Sequence, residues 1–213
     1  MPQNLPSVSG LRLHKILSDR QKDAVCQYIR MHTDKPEELY QIYHAMNRGE
    51  NYKAETLEVF IEEGQPILKI GGNEIRAALG QMKDFVQRMI LITEKILPLG
   101  SVVEIDVRKL ELETEKPVSN IKAVIVDRFM KKETEKQYVP YCGIIYPFGD
   151  SKKQLFFTEQ AIHTVIHYGY TDRQEDAYVA LIKREIIKKG YGSYSFAEAE
   201  DDKIRMLQSD INL

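Results

Sequence analysis

From Asn73 to Leu97 the apolar side chains repeat every three or four residues, and from Ser101 to Phe157 they alternate every two. That change of period allows neither an all-helical bundle nor an all-strand sandwich, and it points to an α+β chain. Ala78, Met82, Phe85, Met89, Ile92 and Ile96 form one stripe, with Ile75, Leu79, Val86 and Ile90 beside it. Asn73 can cap such a segment, Glu74 suits its positive end, Lys95 its negative end, and Pro98 stops it. The pattern predicts one long amphipathic helix of about 25 residues, roughly 37 Å. Most such faces serve the chain's own core, but a face this wide has surplus that a partner helix could meet. The six stripe residues from Ala78 to Ile96 are therefore the candidate partner-binding set.

Upstream, Ser18 with Gln21 makes a capping box for a helix over 18–32. Pro36, Glu37 and Glu38 open a second helix, which Gly49 closes. Leu57, Val59 and Ile61 alternate with Glu58, Phe60 and Glu62 before Gly64-Gln65, which predicts a hairpin over 57–70, with a short helix over 55–63 as the alternative; in the hairpin Pro66 must lie at an edge or at a strand's start. Residues 1–10 read as a loose lead-in.

Downstream, the runs 101–107, 122–129, 138–146 and 154–157 are rich in β-branched and aromatic residues. The short connections between them favour a small antiparallel sheet. Glu159–Val165 reads as a helical turn or two, Thr171 with Gln174 as another capping box, and 177–189 as a closing helix ended by Gly190. The resulting organisation is a helical and hairpin N-terminal region (1–72), a long connecting helix (73–97), a small antiparallel α+β domain (98–190) and an acidic tail (191–213).

Chemistry is sparse. Thirty basic against 32 acidic residues leave a formal charge of -2, without the basic field that nucleic-acid binding requires. No apolar run is long enough to span a membrane, and the first residues lack a secretory signal, so the expected compartment is the cytoplasm. Cys26 and Cys142 show no CxxC or zinc-site spacing and read as reduced, packed thiols. Glu159, His163 and His167 would share a face on a continuous helix, but Thr164-Val165-Ile166 favours extended chain, which separates the imidazoles. No catalytic, cofactor-binding or metal-binding residue is assigned, no cofactor is implied, and the chain is read as a non-enzyme. Eight tyrosines (138, 141, 146, 168, 170, 178, 191 and 194) crowd the last third. Tyrosine offers large contact area at low entropic cost, so an exposed group suits a protein interface, while about half would fill the core. Tyr194 followed four residues later by Glu198 has the spacing of a Y-x-x-x-D/E export tag, a pattern common by chance.

The ordered phrases Leu97-Pro98-Leu99-Gly100-Ser101-Val102-Val103, Asp127-Arg128-Phe129, Tyr141 through Tyr146-Pro147-Phe148-Gly149, Phe156-Phe157 and Gly169-Tyr170-Thr171-Asp172 resemble a domain of unknown function from Firmicutes. Where that family often shows H-E-D-I, Thr158-Glu159-Gln160-Ala161-Ile162 stands here, and the charged loop at 108–120 is longer. The resemblance makes Leu97, Pro98, Gly100, Ser101, Tyr146, Pro147, Gly149, Gly169 and Tyr170 structural motif residues. Genes of that family typically lie beside LXG toxins in type VIIb secretion loci. The resemblance therefore implies a cytoplasmic adaptor or chaperone whose partner is a helical LXG effector region, with a homo-oligomer also compatible. The alternatives are an immunity protein binding a toxin domain and an enzyme with an unrecognised site.

Overall fold

The computed structural model describes residues 17–110, 120–132 and 134–196. The expected lead-in at 1–10, the carboxylates of the acidic tail and Glu198 lie outside these residues. Within them the chain is α+β, with four α-helices and two sheets, and it divides into two compact units. The first comprises residues up to Ile96 together with Ala177–Gly190; the second comprises Leu97–Asp176 and the chain from Tyr191 onward.

In the first unit, α1 (Asp19–Met31) starts on the expected capping box: Ser18 Oγ accepts the Gln21 N–H, and the Gln21 side chain accepts the Ser18 N–H. Next, α2 (Glu37–Arg48) ends on Gly49 at φ 68°, the left-handed position that glycine tolerates at a helix C-terminus. A four-stranded antiparallel meander follows, in the order β1 (Tyr52–Lys53), β2 (Leu57–Glu62), β3 (Gln65–Ile70) and β4 (Asn73–Arg76). Pro66 pairs with Ile61 on β2, but the register with β4 begins only at Ile67, so its missing N–H faces no partner strand.

The long helix is shorter than its periodicity predicts. Asn73–Arg76 is strand β4, and α3 covers only Leu79–Thr93, about 22 Å. Gly71 and Gly72, both at positive φ, turn the chain tightly after β3, and Asn73 then pairs with Ile70 instead of capping a helix. At the other end Glu94 is extended, with Thr93 Oγ1 turned back onto the Met89 carbonyl. Two cations tie α3 to α4 (Arg173–Lys189): Lys183 Nζ donates to the Ile92 and Glu94 carbonyls, and Arg88 donates to the Ile187 carbonyl. Each positive head thus satisfies carbonyls at the other helix's C-terminal end, where the helix dipole is negative. Val25, Leu39, Ile42, Met46, Leu57, Leu68 and Phe85 are core residues of this unit.

The second unit is built on a six-stranded sheet. Its path runs β10 (Gly192–Ser193), β7 (Gln137–Tyr146), β6 (Asn120–Lys132), β5 (Val102–Asp106), β9 (Ile162–His167), with β8 (Gln154–Phe157) also on β7. All pairs are antiparallel except β10 on β7. Val103, Ile105, Ala123, Ile125, Leu155 and Phe157 form its buried side. The expected helical turns at 159–165 reduce to one 3-10 turn, Glu159–Ala161, before β9. Asp172, not Thr171, supplies the side-chain cap of α4, accepting the Gln174 and Glu175 N–H groups.

Candidate protein-binding surface

The motif phrases of the second unit converge on one knot of backbone. Leu97–Ser101 turns through Gly100 at φ 79°, which glycine alone adopts without strain. Ser101 Oγ donates to the Pro98 carbonyl at 2.8 Å and accepts the Gly169 N–H at 3.0 Å. The contact is so close that a Cβ on residue 169 would stand 2.0 Å from the Leu99 carbonyl oxygen. The Leu97 N–H donates to the Tyr141 hydroxyl at 3.1 Å, and the Tyr141 ring stacks on Phe157 with centroids 5.5 Å apart. Arg128, from Asp127-Arg128-Phe129, is buried; it donates to the Leu97 carbonyl at 3.3 Å and forks onto both oxygens of Glu175. Each of these groups is bonded to another part of the same unit. Gly149 likewise closes a turn at φ 66°, its N–H donating to the Ile145 carbonyl, and the Tyr146–Pro147 bond is cis.

The same knot displays apolar surface. With Leu99 and Gly169 in backbone contact, the side chains of Leu99 (47% exposed), Tyr168 (54%) and Tyr170 (82%) stand on adjoining chain, with Ile166 two residues further along. This is a rigidly backed patch of aliphatic and tyrosyl side chains, the composition enriched in protein interfaces. Of the eight tyrosines, Tyr138, Tyr141, Tyr191 and Tyr194 are buried and Tyr146, Tyr168, Tyr170 and Tyr178 are exposed. Tyr194 donates to Glu135, so it is not displayed as a tag.

The candidate stripe on α3 is not a surface. Met82, Phe85, Met89, Ile92 and Ile96 are all buried, and Ala78, which is exposed, precedes the helix instead of lying on it. The core of the first unit takes up these five side chains, while Leu79 at the start of α3 stays exposed.

One cluster of titratable groups in the first unit includes a histidine. His32 Nδ1 donates to the Tyr28 carbonyl at 2.9 Å, its ring stacks on Tyr28, and Nε2 lies 3.2 Å from Thr56 Oγ1, which donates to Glu38 at 2.9 Å. Burial first, and the Glu38 carboxylate second, push the Tyr28 phenol above its ordinary range. No local pattern marks this cluster, whose members come from α1 and its C-terminal cap, α2 and the turn before β2. It borders a hollow of about 420 Å³ that includes Gln27, Glu58 and Lys69 in its walls. The chain of bonds from His32 through Thr56 to Glu38 ties the β2 turn to both helices. His163 and His167 are exposed on β9, about 13 Å apart along the strand, too far to share a ligand. Among the described residues no group of three His, Cys, Asp or Glu is placed to hold a metal ion. Burial, and then Asp127, push the Cys142 thiol up to about 11. No described helix is long and apolar enough to cross a membrane.

Residues 96–178 match a family described as a domain of unknown function, DUF4176. The match falls on the stretch that carries the motif phrases and the exposed patch, and the family's description assigns it no activity. No curated protein and no solved structure matches the chain.

Proposed function

We propose that this protein is a non-catalytic binding module that holds another polypeptide in the cytoplasm, and that its partner is the helical region of an LXG-type effector destined for type VII secretion. The observation carrying the binding reading is the Leu99, Tyr168 and Tyr170 patch, apolar surface left in water on a backbone locked by Ser101, Gly169 and Arg128. Pre-ordered backbone lowers the entropic cost of association, and the two tyrosines can bury a ring while keeping the hydroxyl hydrated. The partner's identity rests on the resemblance of Leu97–Asp172 to a family encoded beside such toxins. An apolar seam on a long helix is the surface such a patch would cover before export.

Co-expression with the effector cut into its helical N-terminal half and its toxic C-terminal half tests the reading. Co-elution with the helical half on size exclusion is the expected result. Co-elution with the toxic half alone would make the protein an immunity factor, and co-elution with neither would remove the proposal.

A further inference from the structure

The connection from β7 to β8 carries an apolar side chain that packing does not explain. Phe148 is 81% exposed, and unlike Tyr170 it has no hydroxyl to be hydrated. The loop around it is ordered by its own hydrogen bonds: the Gly149 N–H donates to the Ile145 carbonyl at 3.1 Å, and the Asp150 carboxylate accepts the Lys152 N–H at 2.9 Å. Tyr146, the last residue of β7, is also exposed, and its cross-strand partner on β6 is Lys122. Lys122, Lys152 and Lys153 are all exposed, while Asp150 is the one acid between Tyr146 and Gln154. With Glu104 opposite Lys122 on β5 also counted, three lysines stand against two carboxylates, and the tip keeps a net positive charge on a chain whose formal charge is -2.

We propose that this tip is a membrane-surface contact: Phe148 inserts among the acyl chains of an anionic bilayer, Tyr146 sits at headgroup depth, and Lys122, Lys152 and Lys153 meet the lipid phosphates. A protruding aromatic flanked by ammonium groups matches a soft anionic interface. A rigid protein partner would instead have to supply a fitted pocket for it. One side chain and three lysines give a weak, reversible attachment, stronger on anionic lipid and released by salt. This goes beyond the binding function above and does not depend on it, since no residue of the Leu99, Tyr168 and Tyr170 patch takes part.

The test is co-sedimentation of the full chain with vesicles of phosphatidylcholine alone and with vesicles containing about a third phosphatidylglycerol. Expected is partition onto the anionic vesicles only, weakened at least about tenfold by Phe148→Ser and by the pair Lys152→Glu and Lys153→Glu, and lost in high salt. Circular dichroism of the variants, unchanged from the parent, secures the comparison. No partition onto anionic vesicles, partition that Phe148→Ser leaves intact, or a Phe148 requirement for effector binding with vesicles ignored would each overturn the proposal.

Discussion

Replacing Glu175 with alanine removes the carboxylate onto which Arg128 forks while leaving the Arg128 bond to the Leu97 carbonyl. The Arg128 side chain is 3% exposed and the Glu175 side chain 20%, so the pair lies between the surface and the fully buried limits. With an effective dielectric near 20 and about 3 Å between charges, the Coulomb attraction is of order 5 kcal/mol, against which the desolvation of both groups counts. Breaking a buried pair from one side removes the carboxylate that offsets the desolvated guanidinium, and a loss of about 3 kcal/mol follows. Urea unfolding, followed by tyrosine fluorescence since the chain has no tryptophan, reads this as a fall in midpoint at unchanged slope. The double variant Arg128→Met with Glu175→Leu should regain most of the loss, because neither charge is then left buried. A loss below about 1 kcal/mol for Glu175→Ala would place the pair in the weak surface class and refute the claim that it secures the knot.

Two further outcomes follow from the same contacts. Gly169→Ala forces a methyl into the Leu99 carbonyl, a backbone atom that cannot step aside; a destabilisation of about 3 kcal/mol or more is expected in the same urea assay, and a normal midpoint would contradict the packing. Cys142 is neutral in the fold until about pH 11 but ionises near pH 8.5 once unfolded, so stability falls as pH rises from about 9 to 11. Cys142→Ala should flatten that stretch of the stability profile, and mass spectrometry should find Cys142 unalkylated at pH 8 until urea is added.

Much of the architecture was readable because local signals and tertiary packing agreed. The Ser18–Gln21 box, the Gly49 stop and the alternation over 57–70 each describe what the residues do. The error at 73–78 had a physical source. Ile75, Leu79 and Met82 keep helical spacing across the end of a strand, and Asn73-Glu74 imitates a helix start. Gly71-Gly72, a two-residue hairpin signal, outweighed both once β3 was there to pair. The same misreading inflated the supposed docking stripe: the helix is shorter, and Met82, Phe85 and Met89 on it are spent in the core. The tyrosines could not be sorted by composition, because strand register and the Leu99–Gly169 contact decide which ring faces water. The Arg128–Glu175 pair spans 47 positions, and the His32, Thr56 and Glu38 cluster joins three elements, so neither has a local signature.

The central claim is that recognition belongs to the patch on the second unit and not to α3. Titration calorimetry of the effector's helical half against the parent protein and the variant Leu99→Ser with Tyr170→Ser tests it most directly. Both side chains are exposed, so the variant should keep its fold while its affinity drops at least about tenfold. Equal affinities for parent and variant would contradict the account.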